Sequence, residues 1–313
     1  MKRTSIGGQA VMEGVMMKNK ENYAVAVRKP NHEIEIMKDA YESLDSRYPV
    51  LGLPIIRGMV TLGESLYIGM KTLAFSSSFY EEEEQEPGRL EKALGRIFGD
   101  RLESVVMGVT MAFSVVMAVI IFMLLPFYLS HLLKGAITSY TVRTLIEGVF
   151  RVGIFLLYLW LISKMEDIRR VFMYHGAEHK TINCLEHGED LTPENIRKYS
   201  RFHKRCGTSF MLIVMIVSIL MFLFIRVDQV VLRMVLRVVL VPVIAGISYE
   251  FIRLAGKSQS KLVEILSKPG LSLQYLTTRE PDDEMLEVAI ASVESVFDWK
   301  EYVAAMRRGE LED

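Results

Sequence analysis

The stretch SVVMGVTMAFSVVMAVIIFMLLPFYLS, residues 104–130, carries no ionisable side chain over 27 positions. At about 1.5 Å per residue, a helix of that length crosses a hydrocarbon core roughly 30 Å thick, so it reads as a membrane span. A second uncharged run, 206–225, gives another 20 residues between Arg205 and Arg226. Two shorter runs, 152–163 and 238–249, hold 12 residues each and must recruit the turns before them to span. Those turns contain Arg143, Glu147 and Arg151 in one case, and Arg233 and Arg237 in the other. The expectation is a mainly α polytopic membrane protein with four transmembrane helices, near 105–130, 142–164, 206–226 and 230–251. The alternative for the two short runs is a buried helix of the soluble kind.

Composition supports this reading. Half of the 313 residues are hydrophobic, and the mean hydropathy of +0.24 is high for a soluble chain of this size. The net charge of −1 argues against nucleic acid as the main partner, because phosphate-backbone binding needs a local excess of basic groups. Two cysteines, Cys184 and Cys206, are too few for a disulfide framework and suit a reducing compartment. Lys and Arg number 14 before the first span, 9 between the second and third, and 8 after the fourth, with 6 elsewhere. By the positive-inside bias, both termini and the 164–205 loop are expected on the cytoplasmic side of a cell membrane. The bilayer itself is then the first partner; the sequence names no protein partner.

Spacing organises the intramembrane charges. Arg143, Glu147 and Arg151 recur every four residues and share a helical face, as do Arg233 and Arg237. Glu147 and Arg233 fall at similar depth, which predicts an ion pair between them. Snorkelling of these side chains toward the outer interface is the competing reading.

Five regions follow. Residues 1–49 form a cytoplasmic α+β module, in which 23–28 and 32–37 alternate in polarity around Lys29-Pro30-Asn31 and predict a β-hairpin. Residues 50–75 predict an amphipathic helix with Arg57, Glu64 and Lys71 on one face, lying in the interface or packed on the bundle. Residues 76–103 read as an acidic linker and a helix at 89–102. Residues 104–252 form the membrane domain with its histidine-rich loop at 164–205. Residues 253–313 form a cytoplasmic C-terminal segment, in which Pro281-Asp282-Asp283-Glu284 opens a helix through Phe297.

Chemistry concentrates in Tyr174-His175-Gly176-Ala177-Glu178-His179-Lys180. On a helix His175 and His179 share a face, with Glu178 beside the second. This is the H-x-x-E-H order in which two imidazoles hold zinc and a glutamate acts on the bound water. Four of the six histidines lie between 175 and 203. His203 and Cys206, three apart, are the further ligand candidates. With His203 as third ligand a coordination position stays open, and Glu178 is the catalytic base for a water made acidic by the metal. With Cys206 as a fourth ligand the site closes and becomes structural. Glu250 and Glu13 are candidates for supporting positions: Glu250 to ligate, to orient a histidine or to pair with Arg253, and Glu13 to ligate if the glycine-rich N terminus covers the site.

Four motifs together resemble the YqhQ-like family of bacterial membrane proteins: Gly7-Gly8-Gln9-Ala10-Val11-Met12-Glu13-Gly14-Val15-Met16-Met17, the 174–180 core, His203-Lys204-Arg205-Cys206-Gly207-Thr208, and Thr277-Thr278-Arg279-Glu280-Pro281. That resemblance implies a metal-dependent enzyme, as the family has been described, and implies no substrate. The leading expectation is therefore a zinc-dependent hydrolase at the cytoplasmic membrane interface, acting on a lipid or a membrane-embedded peptide. The alternatives are a membrane transporter or metal-handling protein using the arginine layer, and a scaffold with a structural metal site.

Overall fold

The computed structural model describes residues 4–80, 102–227, 229–257 and 261–310. In chain order the strands are β1 (Ile6–Val11), β2 (Gly14–Asn19), β3 (Asn22–Arg28) and β4 (Ile34–Ala40). The longer helices are α1 (Ile56–Ser77), α2 (Leu102–Val119), α3 (Leu125–Leu132), α4 (Tyr140–Ile162), α5 (Glu166–Glu186) and α6 (Gly207–Phe224). They continue with α7 (Val230–Val239), α8 (Val241–Lys257), α9 (Lys261–Thr277), α10 (Asp283–Val296) and α11 (Trp299–Arg308). The acidic run at 81–84 and most of the helix expected at 89–102 lie outside the described residues. The chain divides into two units, one made of Met1–Tyr80, Leu159–Val214 and Pro242–Asp313, the other of Glu81–Tyr158 and Met215–Val241.

In the first unit the four strands form an antiparallel meander in the order β1-β2-β3-β4. The hairpin expected around Lys29-Pro30-Asn31 is β3–β4, with Arg28 opposite Ile34. The glycine-rich motif forms a second hairpin, β1–β2, turning at Met12 and at Glu13 with φ of 49°. Because side chains alternate across a strand, β2 and β3 can feed two cores. Val15, Met17 and Ala26 pack with Tyr174, Ala177, Ile182 and Leu185 of α5 and Met285, Leu286, Ala289 and Val293 of α10. Met16, Tyr23, Val25 and Val27 pack on the opposite face with Ile68 of α1. β2 and β3 are thus buried on both faces, which is why these two strands carry apolar side chains at successive positions. α10 begins at the expected acidic turn, where the Asp282 side chain accepts from Met285 N at 2.9 Å.

The polarity of α1 is inverted relative to a helix on a water-facing surface. Two of its charges are satisfied inside the unit, Arg57 by Glu250 and Glu64 by Ser43 Oγ at 2.9 Å and Leu44 N at 2.7 Å, while Lys71 pairs with Asp39 at the surface. Leu66, Tyr67, Met70 and Leu73 are left exposed. The helix begins with its backbone against α8, where a Cβ on Gly58 would stand 2.9 Å from Gly246 Cα. Small residues at that crossing are what permit the approach.

Several helices are long and apolar. Across the described residues, Gly108–Gly135, Tyr140–Ile162 and Gly207–Phe224 are each long and apolar enough to cross a membrane; Val230–Val239 with Val241–Leu254, bent by 46°, makes a fourth if taken as one span. The bend falls just before Pro242, whose ring and missing N–H interrupt a helical ladder. Glu147 does not pair with Arg233 as its depth predicted. It receives Arg237 Nε at 2.8 Å, a second bond from Arg237 Nη2, and Arg151 Nη2 at 2.8 Å. Arg151 also donates to Ser218 Oγ at 2.6 Å. Arg233 is one turn too far toward the start of α7 and folds back onto the carbonyl of Val227, at 2.8 Å from Nε.

Candidate functional site

The site lies in the first unit and is built on α5. That helix ends at His187, where Gly188 takes a φ of 76°, a left-handed stop that favours glycine. Gly176, in the middle of the helix, faces the segment after α9: a Cβ there would stand 2.0 Å from Arg279 O. Arg279 N donates to Phe172 O at 2.8 Å. The glycine of the 174–180 motif therefore exists to let the 277–281 motif lie against the helix, and this contact delivers a ligand-orienting carbonyl.

His175 Nδ1 meets Thr277 O at 2.8 Å, and His179 Nδ1 meets Arg201 O at 2.6 Å. A carbonyl can only accept, so each Nδ1 must carry a proton, and in the neutral imidazole each Nε2 then presents a lone pair. His175 Nε2 is 3.2 Å from Cys206 Sγ. His179 Nε2 is buried, and among the described residues only the Cys206 thiol interacts with it. These three side chains place their ligand atoms within 4.8 Å of one another. Donors bonded to one tetrahedral zinc stand about 3.3–3.8 Å apart by the usual Zn–N and Zn–S lengths, so small adjustments would close the set. Cys206 precedes the first residue of α6 and its sulfur is oriented by the hydroxyl of Thr208 at 3.1 Å and Thr208 N at 3.4 Å. Burial pushes the His179 imidazole below its ordinary pKa, which favours the neutral, ligating form.

Glu178 is buried beside the two histidines. Burial pushes its carboxyl up to about 7, against smaller opposing effects of His175 and of a hydrogen bond from the Gly8 backbone. A Cβ on Gly8 would stand 2.8 Å from Glu178 Cγ, so glycine is required where β1 crosses the carboxylate. A cavity of about 400 Å³ lies between this strand and α5, lined by Gly7, Gly8, His175, Glu178, His179 and Cys206 among others. That volume is within the range of small-molecule sites.

The remaining expected positions fall elsewhere. His203 lines the cavity, but its Nε2 faces Glu186 Oε2 at 3.8 Å and it stands outside the converging trio. The expectation placed His203 and Cys206 on one helical face; α6 begins only at Gly207, so the two residues precede the helix, although both line the cavity. Glu250 is not among the residues that line the cavity, and among the described residues it pairs with Arg57 rather than Arg253. Its carboxylate holds Arg57 Nε at 2.6 Å and Ile55 N at 3.3 Å. Glu13 is likewise no ligand: it grips Arg170 through both oxygens, 2.5 Å at Nη2, and meets Tyr174 Oη at 3.3 Å. The hairpin nevertheless covers α5 through this grip.

Several supporting residues were not singled out in the sequence. Gln274 clasps the His203 backbone, accepting from its N at 2.9 Å and donating to its O at 2.8 Å. Glu186 accepts from Thr4 N at 2.9 Å and from Arg205. Lys180 and Asn183 donate to the carbonyls of Arg197 and Ser200 at 3.0 and 2.7 Å, fixing the loop that carries Arg201 O. The signal for Lys180 was its place at the end of the histidine motif; Gln274 and Glu186 carry none that separates them from ordinary helix residues.

Fold and site define a helical protein with a small antiparallel sheet and a His–His–Cys cluster beside a buried carboxylate. Residues 53–299 match the family described as "Protein of unknown function (DUF1385)", and the chain belongs to that family. It is similar to "Uncharacterized protein YqhQ" of Bacillus subtilis (strain 168), 38% identical over 289 residues that cover 91% of this chain and 90% of the relative. No solved structure matches it.

Proposed function

We propose that this chain is a multi-pass protein of the cytoplasmic membrane, both termini inside, and a divalent-metal-dependent hydrolase. Its metal, zinc by donor chemistry, would be held by His175, His179 and Cys206. The observation that carries this reading is the paired anchoring of the imidazoles through Nδ1 to backbone carbonyls, which turns both Nε2 atoms toward the Cys206 sulfur. Second-sphere anchoring of this kind fixes tautomer and ring angle before a metal binds. Three protein ligands, rather than four, leave a coordination position open.

When bound, zinc would supply Lewis acidity toward water and toward a carbonyl or phosphoryl oxygen. Glu178 would take the proton from the attacking water at its carboxylate and return it to the leaving group. The Gly8 N–H holds that carboxylate in place, and burial keeps bulk solvent from competing for its proton. Gly7 and Gly8 leave one wall of the cavity without side chains, which gives room to a substrate. Cys206 adjoins the first turn of an apolar helix long enough to span a bilayer, which favours an ester, amide or phosphoester in a lipid or membrane peptide.

The transport reading is less well supported because Glu147 is already saturated by two guanidinium groups. The scaffold reading would gain from a fourth protein ligand, and His203 is engaged with Glu186 instead. Metal content and hydrolysis of lipid esters and phosphoesters by protein purified from membranes test the proposal. Wild type should carry about one zinc and lose it in His179→Ala, while Glu178→Gln keeps the metal and loses hydrolysis. A metal-free wild type overturns the reading; unchanged activity in Glu178→Gln favours the scaffold. Recovery in the soluble rather than the carbonate-resistant membrane fraction would overturn the membrane assignment.

A further inference from the structure

Among the described residues, the second unit gathers more positive than negative charge at one place. Arg143, Arg151, Arg233 and Arg237 stand with Glu147, four guanidinium groups against the one carboxylate described in this cluster. Arg151 and Arg237 are both spent on Glu147, and Arg237 is only 1% exposed. Arg233 is turned onto the Val227 carbonyl and stands 5.2 Å from the centroid of Tyr140. Aromatic faces and carbonyl dipoles ease a cation but do not cancel its charge.

Arg143 is the exception that points to a ligand. Its guanidinium has no hydrogen-bond or ion-pair partner among the described residues, and its Nε is fully buried. Together with Arg233 and Arg237 it lines a cavity of about 10 Å³, walled also by Phe127, His131 and Tyr140. Space of that size admits about one water-sized body. Neighbouring hydroxyls already donate to backbone: Tyr140 Oη to Ile225 O at 2.7 Å and Ser130 Oγ to Arg143 O at 2.7 Å. The pocket therefore combines unmatched positive charge, an unpartnered buried donor and room for a single small body.

We propose that this cavity binds one small anion of halide size, chloride in the first instance, between Arg143 and Arg233. The anion supplies negative charge that the described residues around Arg143 and Arg233 do not provide. The space is too small to take in phosphate, sulfate or a lipid phosphodiester. The site is independent of the histidine cluster and of any activity there.

The test uses the full chain in detergent micelles, with chloride as the probe. Chloride-35 NMR should show line broadening by wild type, and the unfolding midpoint should be higher in sodium chloride than in sodium gluconate at equal ionic strength. Arg143→Gln should lose both effects, and Arg169→Gln, which removes an exposed arginine outside the cluster, should keep them. Should Arg143→Gln fail to fold, Arg143→Lys carries the comparison, with an expected loss of at least tenfold in chloride affinity. Equal midpoints in the two salts, broadening that persists in the Arg143 variants, or stabilisation by phosphate or phosphatidylglycerol in place of chloride would overturn the proposal.

Discussion

Gly176→Ala offers a graded test of how the site is assembled. The added Cβ would stand 2.0 Å from Arg279 O, and real Cβ atoms stay beyond 3.0 Å, so the carbonyl or the helix must move by at least about 1 Å. The obstacle is backbone, not the end of a flexible side chain. Arg279 N is itself tied to Phe172 O, and Thr277, two residues earlier, provides the carbonyl that fixes His175 Nδ1. Displacement of the segment therefore loosens a ligand without touching it. Overpacking of this kind costs about 1–3 kcal/mol, and loss of an orienting bond to a ligand lowers metal affinity about 10–100-fold. Thermal unfolding in detergent reads the first, and chelator competition reads the second. Gly63→Ala in α1 is the control: its Cβ meets nothing within 4 Å, so the change should be neutral or stabilising by up to about 1 kcal/mol. Wild-type zinc affinity and stability in Gly176→Ala would refute the assembly described above.

Other outcomes follow from single contacts. Glu147→Gln leaves Arg151 and Arg237 buried without their counter-charge and should destabilise the second unit by about 3–5 kcal/mol, read from detergent unfolding; a loss near zero would contradict the network. Asp39 is held at about 2 chiefly by Lys71, with help from Ala40 N and Tyr23. Its folded pKa lies below the unfolded value near 3.9, so the stabilisation is complete above that value and is lost as pH falls toward 2. Amide protection factors of β4 and α1, corrected for the intrinsic exchange rate at each pH, should fall across that window in wild type and not in Asp39→Asn. Glu250→Gln should leave zinc content unchanged, because that carboxylate serves Arg57; loss of metal would restore it to the site.

What the sequence could convey depended on whether the signal was periodic or conformational. The uncharged run at 104–130 and the His175–His179 spacing follow helix geometry directly, and both were legible. The hairpin at 22–40 was legible because its strands bear alternating β-branched residues, whereas Gly7-Gly8-Gln9-Ala10 lacks them and hid an equally regular strand. The shared helical face of His203 and Cys206 did not form because the start of α6 at Gly207 cannot be placed from composition when Cys206 and Gly207 continue an apolar run. The partner of Glu147 lies one turn from the expected one, Arg237 in place of Arg233, because counting residues from helix ends, themselves uncertain by one or two residues, does not fix depth to within a turn. The inward-facing charges of α1 were seen as a stripe, but periodicity does not say whether a polar face meets water or other protein.

The most direct measurement of the central claim is an X-ray absorption spectrum of the zinc-loaded full-length protein at the zinc edge. The account predicts a four-coordinate first shell with one sulfur, two imidazole nitrogens and one light, exchangeable ligand, with the sulfur lost in Cys206→Ser and an imidazole lost in His179→Ala. A protein that binds no zinc, or a spectrum without sulfur that is unchanged in both variants, would contradict it.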